Sequence, residues 1–107
     1  MRYLMTTKPS DAAPDEQLYA EMGRFIEELT AAGVLLATGG LEPGGILVAS
    51  SGEEITVTDG PFAEAKEAVA GFALIEVRSR EEAIELARRF RRIVGDGESV
   101  IQQVFAP

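Results

Sequence analysis

Gly71-Phe72-Ala73-Leu74-Ile75-Glu76-Val77, followed at once by Ser79-Arg80-Glu81-Glu82, is the stretch from which the fold can be read. In extended chain, Phe72 and Leu74 point one way while Ala73, Ile75 and Val77 point the other, so both faces are apolar. A strand of that kind belongs in the middle of a sheet. Ser79 with Glu82 three residues on is a capping box, and it opens a helix to about Val94. Ala83, Leu86, Ala87, Phe90 and Val94 share one stripe of that helix. Gly95-Asp96-Gly97 stops it, and Ser99 to Phe105 reads as the closing strand.

Towards the N-terminus, Arg2 to Thr7 reads as a first strand, with Tyr3 and Met5 on one face and Leu4 and Thr6 on the other. Lys8 to Pro14 is a loop. A helix is predicted from about Asp15 to Ala32, because Leu18, Met22, Phe25, Ile26 and Leu29 recur at helical spacing and Gly33 suits the C-terminal cap. Val34 to Gly40 is a second strand. Ile46 to Ser50 and Glu54 to Thr58 form a hairpin around Ser51-Gly52, with Ile46 and Val48 alternating on one arm and Ile55 and Val57 on the other.

The order is β-α-β-hairpin-β-α-β, the split βαβ pattern of a ferredoxin-like α+β domain with an extra hairpin. Two helices can cover only one face of a four-stranded sheet. The strand at 71–77 is apolar on both faces, and Val34, Leu35 and Leu36 show no polar face either, so one sheet face is left open to water. A homodimer that packs sheet on sheet resolves this.

The chain of 107 residues is read as one domain, 1–107. No apolar run approaches the ~18 residues of a membrane span, and the N-terminal stretch is too short and too polar for a signal peptide, so the reading is of a cytoplasmic protein. Cysteine and histidine are both absent. That excludes disulfides, thiol nucleophiles, imidazole or thiolate metal sites and any Ser-His-Asp triad. Acid–base work would fall to Asp, Glu, Lys or Tyr. Neither a metal nor an organic cofactor is expected, since no carboxylate cluster has ligand spacing and no nucleotide-binding glycine pattern is present.

The net charge is -8. It argues against nucleic acid and anionic membrane as partners. Residues 1–67 carry 4 basic and 12 acidic side chains, whereas residues 68–107 carry 6 of each. Arg78, Arg80, Arg88, Arg89, Arg91 and Arg92 gather on and around one helix, either as a solvated face or as an anion or partner site.

Between the hairpin and the central strand lies Asp59-Gly60-Pro61-Phe62-Ala63-Glu64-Ala65-Lys66-Glu67. Asp-Gly and Gly-Pro are turn dipeptides, so the chain bends sharply here. This peptide, with Gly71-Phe72-x-Leu74-Ile75 after it, closely resembles the DGPF-domain branch of the YCII-related family. Phe25-Ile26-Glu27-Glu28-Leu29 running into Ala32-Gly33-Val34-Leu35-Leu36 is similar to that family's helix-to-strand joint, and Gly95-Asp96-Gly97-Glu98 to its C-terminal signature. The resemblance covers essentially the whole chain. It implies the dimeric α/β-barrel variant of the ferredoxin-like fold. It also implies an association of some members with alternative sigma-factor genes, and a His-Asp pair in certain relatives, one of them a dehydrochlorinase. Met22 falls where that His would stand, so the dyad cannot operate here.

Asp59 either caps the turn it begins or stands as a carboxylate at a pocket mouth. Lys66, between Glu64 and Glu67, is either a surface ion pair or a cation for a ligand carboxylate or enolate. Phe62 is a core plug or a stacking platform, and Met22 is core or an apolar pocket wall. The expected site is a cleft near 59–67, with Asp59, Glu64 and Lys66 at its polar end and Phe62 or Met22 on its wall. Glu64 and Lys66 share a face if the segment is extended, and diverge by roughly 200° if it is helical. Two functions are open: a small-molecule binding or regulatory dimer, and a cofactor-independent enzyme acting on a small aromatic or enolisable compound through Asp59, Glu64 or Lys66.

Overall fold

Alternation sets the sheet. β1 (Arg2–Thr7) buries Tyr3 and Met5, and β5 (Gly71–Glu76) buries Ala73 and Ile75. The strands are antiparallel with Tyr3 opposite Ile75 and Met5 opposite Ala73, so the buried sets lie side by side on one face. β6 (Ser99–Val104) pairs with the other edge of β1, and β2 (Leu35–Gly40) with the other edge of β5. The sheet order is β2-β5-β1-β6. β1 and β2 thus flank β5, and β5 and β6 flank β1, which is the split βαβ topology expected. The computed structural model describes residues 1–9, 14–60 and 69–107.

Both helices lie on the face of Tyr3 and Ile75. In α1 (Glu16–Ala31), Asp15 is the cap, and its Oδ1 accepts the Leu18 N–H at 2.8 Å. The helix ends in a Schellman motif: Val34 N–H donates to the Leu29 carbonyl at 2.9 Å and Gly33 N–H to that of Thr30 at 3.1 Å, with Gly33 at φ 73°. In α2 (Arg80–Val94), Ser79 Oγ accepts the Glu82 N–H at 3.1 Å. The return arm of the box is displaced by one residue, since Glu82 Oε2 accepts from Arg78 N–H at 3.4 Å.

The core between helices and sheet comprises Tyr3, Phe25, Leu29, Ile75, Val77, Ala83 and Leu86. Ala83 is fully buried on the side of α2 that meets the core. Phe72 is not in this core. It faces away from the helices and is half-buried, its ring lying over Gly39, where an added Cβ would stand 3.2 Å from Phe72 Cε1. A register shift between Leu35 and Ala37 returns Thr38 to the helix face opposite Ala73 and puts Gly39 opposite Phe72. The second face carries Leu4, Leu36, Phe72, Leu74, Val100 and Val104, none of them fully buried, with Leu36, Val100 and Val104 more than 40% exposed.

The extra hairpin, β3 (Ile46–Ser51) and β4 (Glu54–Asp59), is a sheet of its own. Every residue of both strands is exposed. The register sets Val48 opposite Val57 and places Ile46 and Ile55 on that same face. The radius of gyration, 16.1 Å, exceeds the about 13 Å typical of this length, as expected of a projecting arm.

Glu28 on α1 pairs with Arg89 on α2 at 2.7 Å. The hydrogen bond from Arg89 holds the Glu28 carboxyl below its ordinary value of 4.5. A carboxyl lowered by folding contributes stability that is present above its unfolded pKa and fades as the pH falls through the folded value. The wild type is therefore expected to lose more stability than Glu28→Gln between about pH 6 and about pH 3, as read by urea unfolding at each pH. Equal losses would remove this pair from the acid response.

Candidate functional site

α1 places Met22, Phe25, Ile26 and Leu29 on the stripe that faces the sheet, the i, i+3, i+4, i+7 series of a core-facing helix. The stripe does not close fully on the strands. Between it and the sheet lies a cavity of about 270 Å³, floored by Met5 of β1, Ala73 and Ile75 of β5 and Leu35 of β2, with Leu86 and Phe90 of α2 at one end. Small residues leave this room: Ala73 stands on the floor, and Gly39, Ala70 and Gly71 line it at the ends of β2 and β5. The volume suits a single substituted ring and is far above the ~30 Å³ of one water.

Ala70 is held by its backbone. Its N–H donates to the Thr7 carbonyl at 2.7 Å and its carbonyl accepts from Leu41 N–H at 2.8 Å, tying the ends of β1 and β2 together. Gly71 has no room for a side chain without pressing the Gly39 carbonyl, 3.3 Å from where a Cβ would stand. The two hydroxyls of the lining are already engaged. Thr38 Oγ1 donates to the Phe72 carbonyl at 2.9 Å, and Thr7 Oγ1 shares a hydrogen bond with Ser99 Oγ at 3.0 Å. No charged side chain is among the described residues that line the cavity. Chemically the lining offers dispersion contact, two polarizable methionine sulfurs and aromatic rings.

Met22 is thus a cavity wall residue. Asp59 lies elsewhere: it is exposed, ends β4 opposite Ile46, and is not in the lining. Phe62, Glu64 and Lys66, and the question of whether Glu64 and Lys66 share a face, lie outside the described residues. Sequence reasoning placed Phe25 and Leu29 in the core without seeing that they also wall a void, and it passed over Met5 and Phe90 as lining. The signal available was the Met22 stripe together with Ala73 and Gly71 opposite it. Among the described residues no group of three or more acidic side chains is placed to hold a metal ion, and no helix is long and apolar enough to cross a membrane.

The fold and cavity define a class: a ferredoxin-like α+β domain of the kind found in dimeric α/β-barrel proteins, with an apolar chamber under its first helix. The chain belongs to the YCII-related family, whose domain model matches residues 1–103. The Asp59-Gly60-Pro61-Phe62 peptide is consistent with its DGPF branch. A 39-residue stretch is 56% identical to an uncharacterized protein of Rhizobium meliloti (strain 1021) and covers 36% of this chain and 31% of that protein. Among solved structures, 5-chloro-2-hydroxyhydroquinone dehydrochlorinase (TftG) from Burkholderia phenoliruptrix AC1100 is similar in fold, with a TM-score of 0.58 and 15% identity, over 100% of this chain and 96% of that one. That enzyme was solved in complex with 2,5-dihydroxybenzoquinone.

Proposed function

We propose that this chain is a cytoplasmic, homodimeric small-molecule-binding or regulatory protein whose ligand is a neutral apolar or aromatic molecule of about one ring. The observation that carries the reading is the 270 Å³ chamber under α1, lined by apolar groups and by hydroxyls already hydrogen-bonded. A charged ligand would find no ionic partner among the described residues of the lining, whereas a neutral ring gains apolar contact from α1 and from the sheet. The apolar second sheet face supports the homodimer. Glu64 and Lys66 are the candidates for a polar end of the site, because the described chain resumes at Val69, next to the lining residues Ala70 and Gly71. The association of some relatives with alternative sigma-factor genes, which the resemblance implies, would fit a regulatory use of such a ligand.

Methionine methyl NMR tests this directly. Met5 and Met22 line the cavity and Met1 does not. Titration with substituted hydroquinones, phenols and 2,5-dihydroxybenzoquinone is expected to shift the Met5 and Met22 signals and leave Met1 in place. Met22→Trp fills the chamber, and is expected to weaken binding by a factor of about 10 or more, some 1.4 kcal/mol. No movement of Met5 or Met22 across the panel would sink the reading.

An enzyme is the second reading, and the likeness to a dehydrochlorinase in fold favours testing it. Asp59, Glu64 and Lys66 would then supply the acid–base chemistry. Chloride release from chlorinated hydroquinones should be detectable in the wild type, and should fall by about 10²-fold or more when the essential one of the three is neutralised.

A further inference from the structure

We propose that the β3-β4 arm is a clasp for a second copy of this chain, seated in the groove between α2 and β6 of the partner protomer. The proposal rests on the homodimer put forward above and adds to it the element that locks the pair. Three observations lead to it.

The arm needs a cover. A lone two-stranded hairpin is marginally stable in water, and three or more strands or a packed surface are needed to hold one. Here Ile46, Val48, Ile55 and Val57 form one continuous apolar face, and each is more than 60% exposed.

The two edges of the main sheet differ. β2 carries a bulge and ends in Gly39-Gly40, features that blunt an edge against pairing. β6 has neither a bulge nor a charge nor a proline, and among the described residues nothing pairs with its outer side. Beside it lies a groove floored by Ile84, Ala87 and Ile101 and rimmed by Arg88, Arg91 and Arg92.

Charge selects the occupant. Residues 42–59 contain Glu42, Glu53, Glu54 and Asp59 and no Lys or Arg. At the rim of the groove, Arg88 and Arg92 both lean on a single acid, Glu85, at 3.3 and 3.6 Å, leaving the three with net positive charge. In a chain of net charge -8, the basic groove and the acidic arm complement one another. A dimer axis along the strands would bring them to one edge of the pair, the arm reaching around β6 to the helix side where Ile101 lies. When two sheets pack face to face about a two-fold running along the strands, the β2 edge of one lies over the β6 edge of the other. The arm leaves β2 there. A two-fold then makes two equivalent clasps, so the contact closes as a dimer.

The test is a charge swap read by sedimentation. Glu53→Lys/Glu54→Lys in one protein and Arg88→Glu/Arg92→Glu in another are each expected to raise the dimer dissociation constant at least tenfold, with unchanged circular dichroism. An equimolar mixture of the two variants places opposite charges at both clasps, and is expected to dimerise with near-wild-type affinity. Dissociation constants within twofold of wild type for either variant would overturn the clasp, as would a mixture that stays dissociated, which would mean that the groove takes another anion. Phe72→Glu separates the two ideas. If it abolishes the dimer while the charge variants leave it intact, the face-to-face dimer stands and the clasp falls. Ligand shifts at Met5 and Met22 report the cavity independently of both.

Discussion

Phe25→Ala is expected to lower the unfolding free energy by about 3–5 kcal/mol, a large share of the roughly 5–15 kcal/mol that holds a domain of this size. Phe25 is only 7% exposed and packs in the same cluster as Tyr3, Leu29 and Ile75. The Arg89 guanidinium carbon lies 4.9 Å from its ring centroid, so truncation also removes a cation–π contact between the two helices. Most of the loss comes from the cavity. Phe25 is part of its wall, and removing the ring joins new space to a void that the sheet and α2 already hold open. A site that does not collapse around the enlarged void would put the loss towards the upper end of the range. Urea unfolding of the variant checks this, with Val104→Ala as a control. Val104 is 42% exposed on the open face, and its loss should stay within about 0.5 kcal/mol in the free protomer.

The same void shows what a sequence can and cannot display. The stripe of Met22, Phe25 and Leu29 is visible as helical spacing, and so is the alternation that buries Ala73 and Ile75. Those patterns fix the element order and the helix-covered face, because each depends on residues close in the chain. The chamber depends on how far α1 stands from Ala73 and Gly71, across some fifty residues, and no local pattern encodes that distance. The bulge at Leu35/Ala37 is similar in kind: Leu35-Leu36-Ala37 reads as a continuous run, and only pairing with β5 shows where the extra residue sits. The hairpin is legible as two alternating strands about Ser51-Gly52. Its isolation is not, since the same alternation would suit a strand joined to the main sheet. The bend that carries the family signature is legible as a turn. Of the candidates around it, Asp59 stands exposed on the arm, while Phe62, Glu64 and Lys66 fall outside the described residues, so the polar end of the site rests on the sequence alone.

Phe72 gives the second large effect, because the cost of truncating it depends on what covers the second sheet face. In the protomer it is half-buried on the second face, over Gly39. Truncating it there removes only part of a buried ring's contacts, for about 1 kcal/mol. Pairing of two such faces would complete its burial, and the cost of Phe72→Ala should then approach about 3–5 kcal/mol. Because association stabilises by mass action, the difference between wild type and variant should grow with protein concentration. Unfolding at about 0.1 µM and at about 100 µM separates the cases. A loss near 1 kcal/mol at both would leave the second face uncovered in solution, and would take the homodimer with it. A loss that rises with concentration would place Phe72 inside the pair. Gly39 would then serve the assembly too, since a Cβ there would stand 3.2 Å from Phe72 Cε1 and press on the ring.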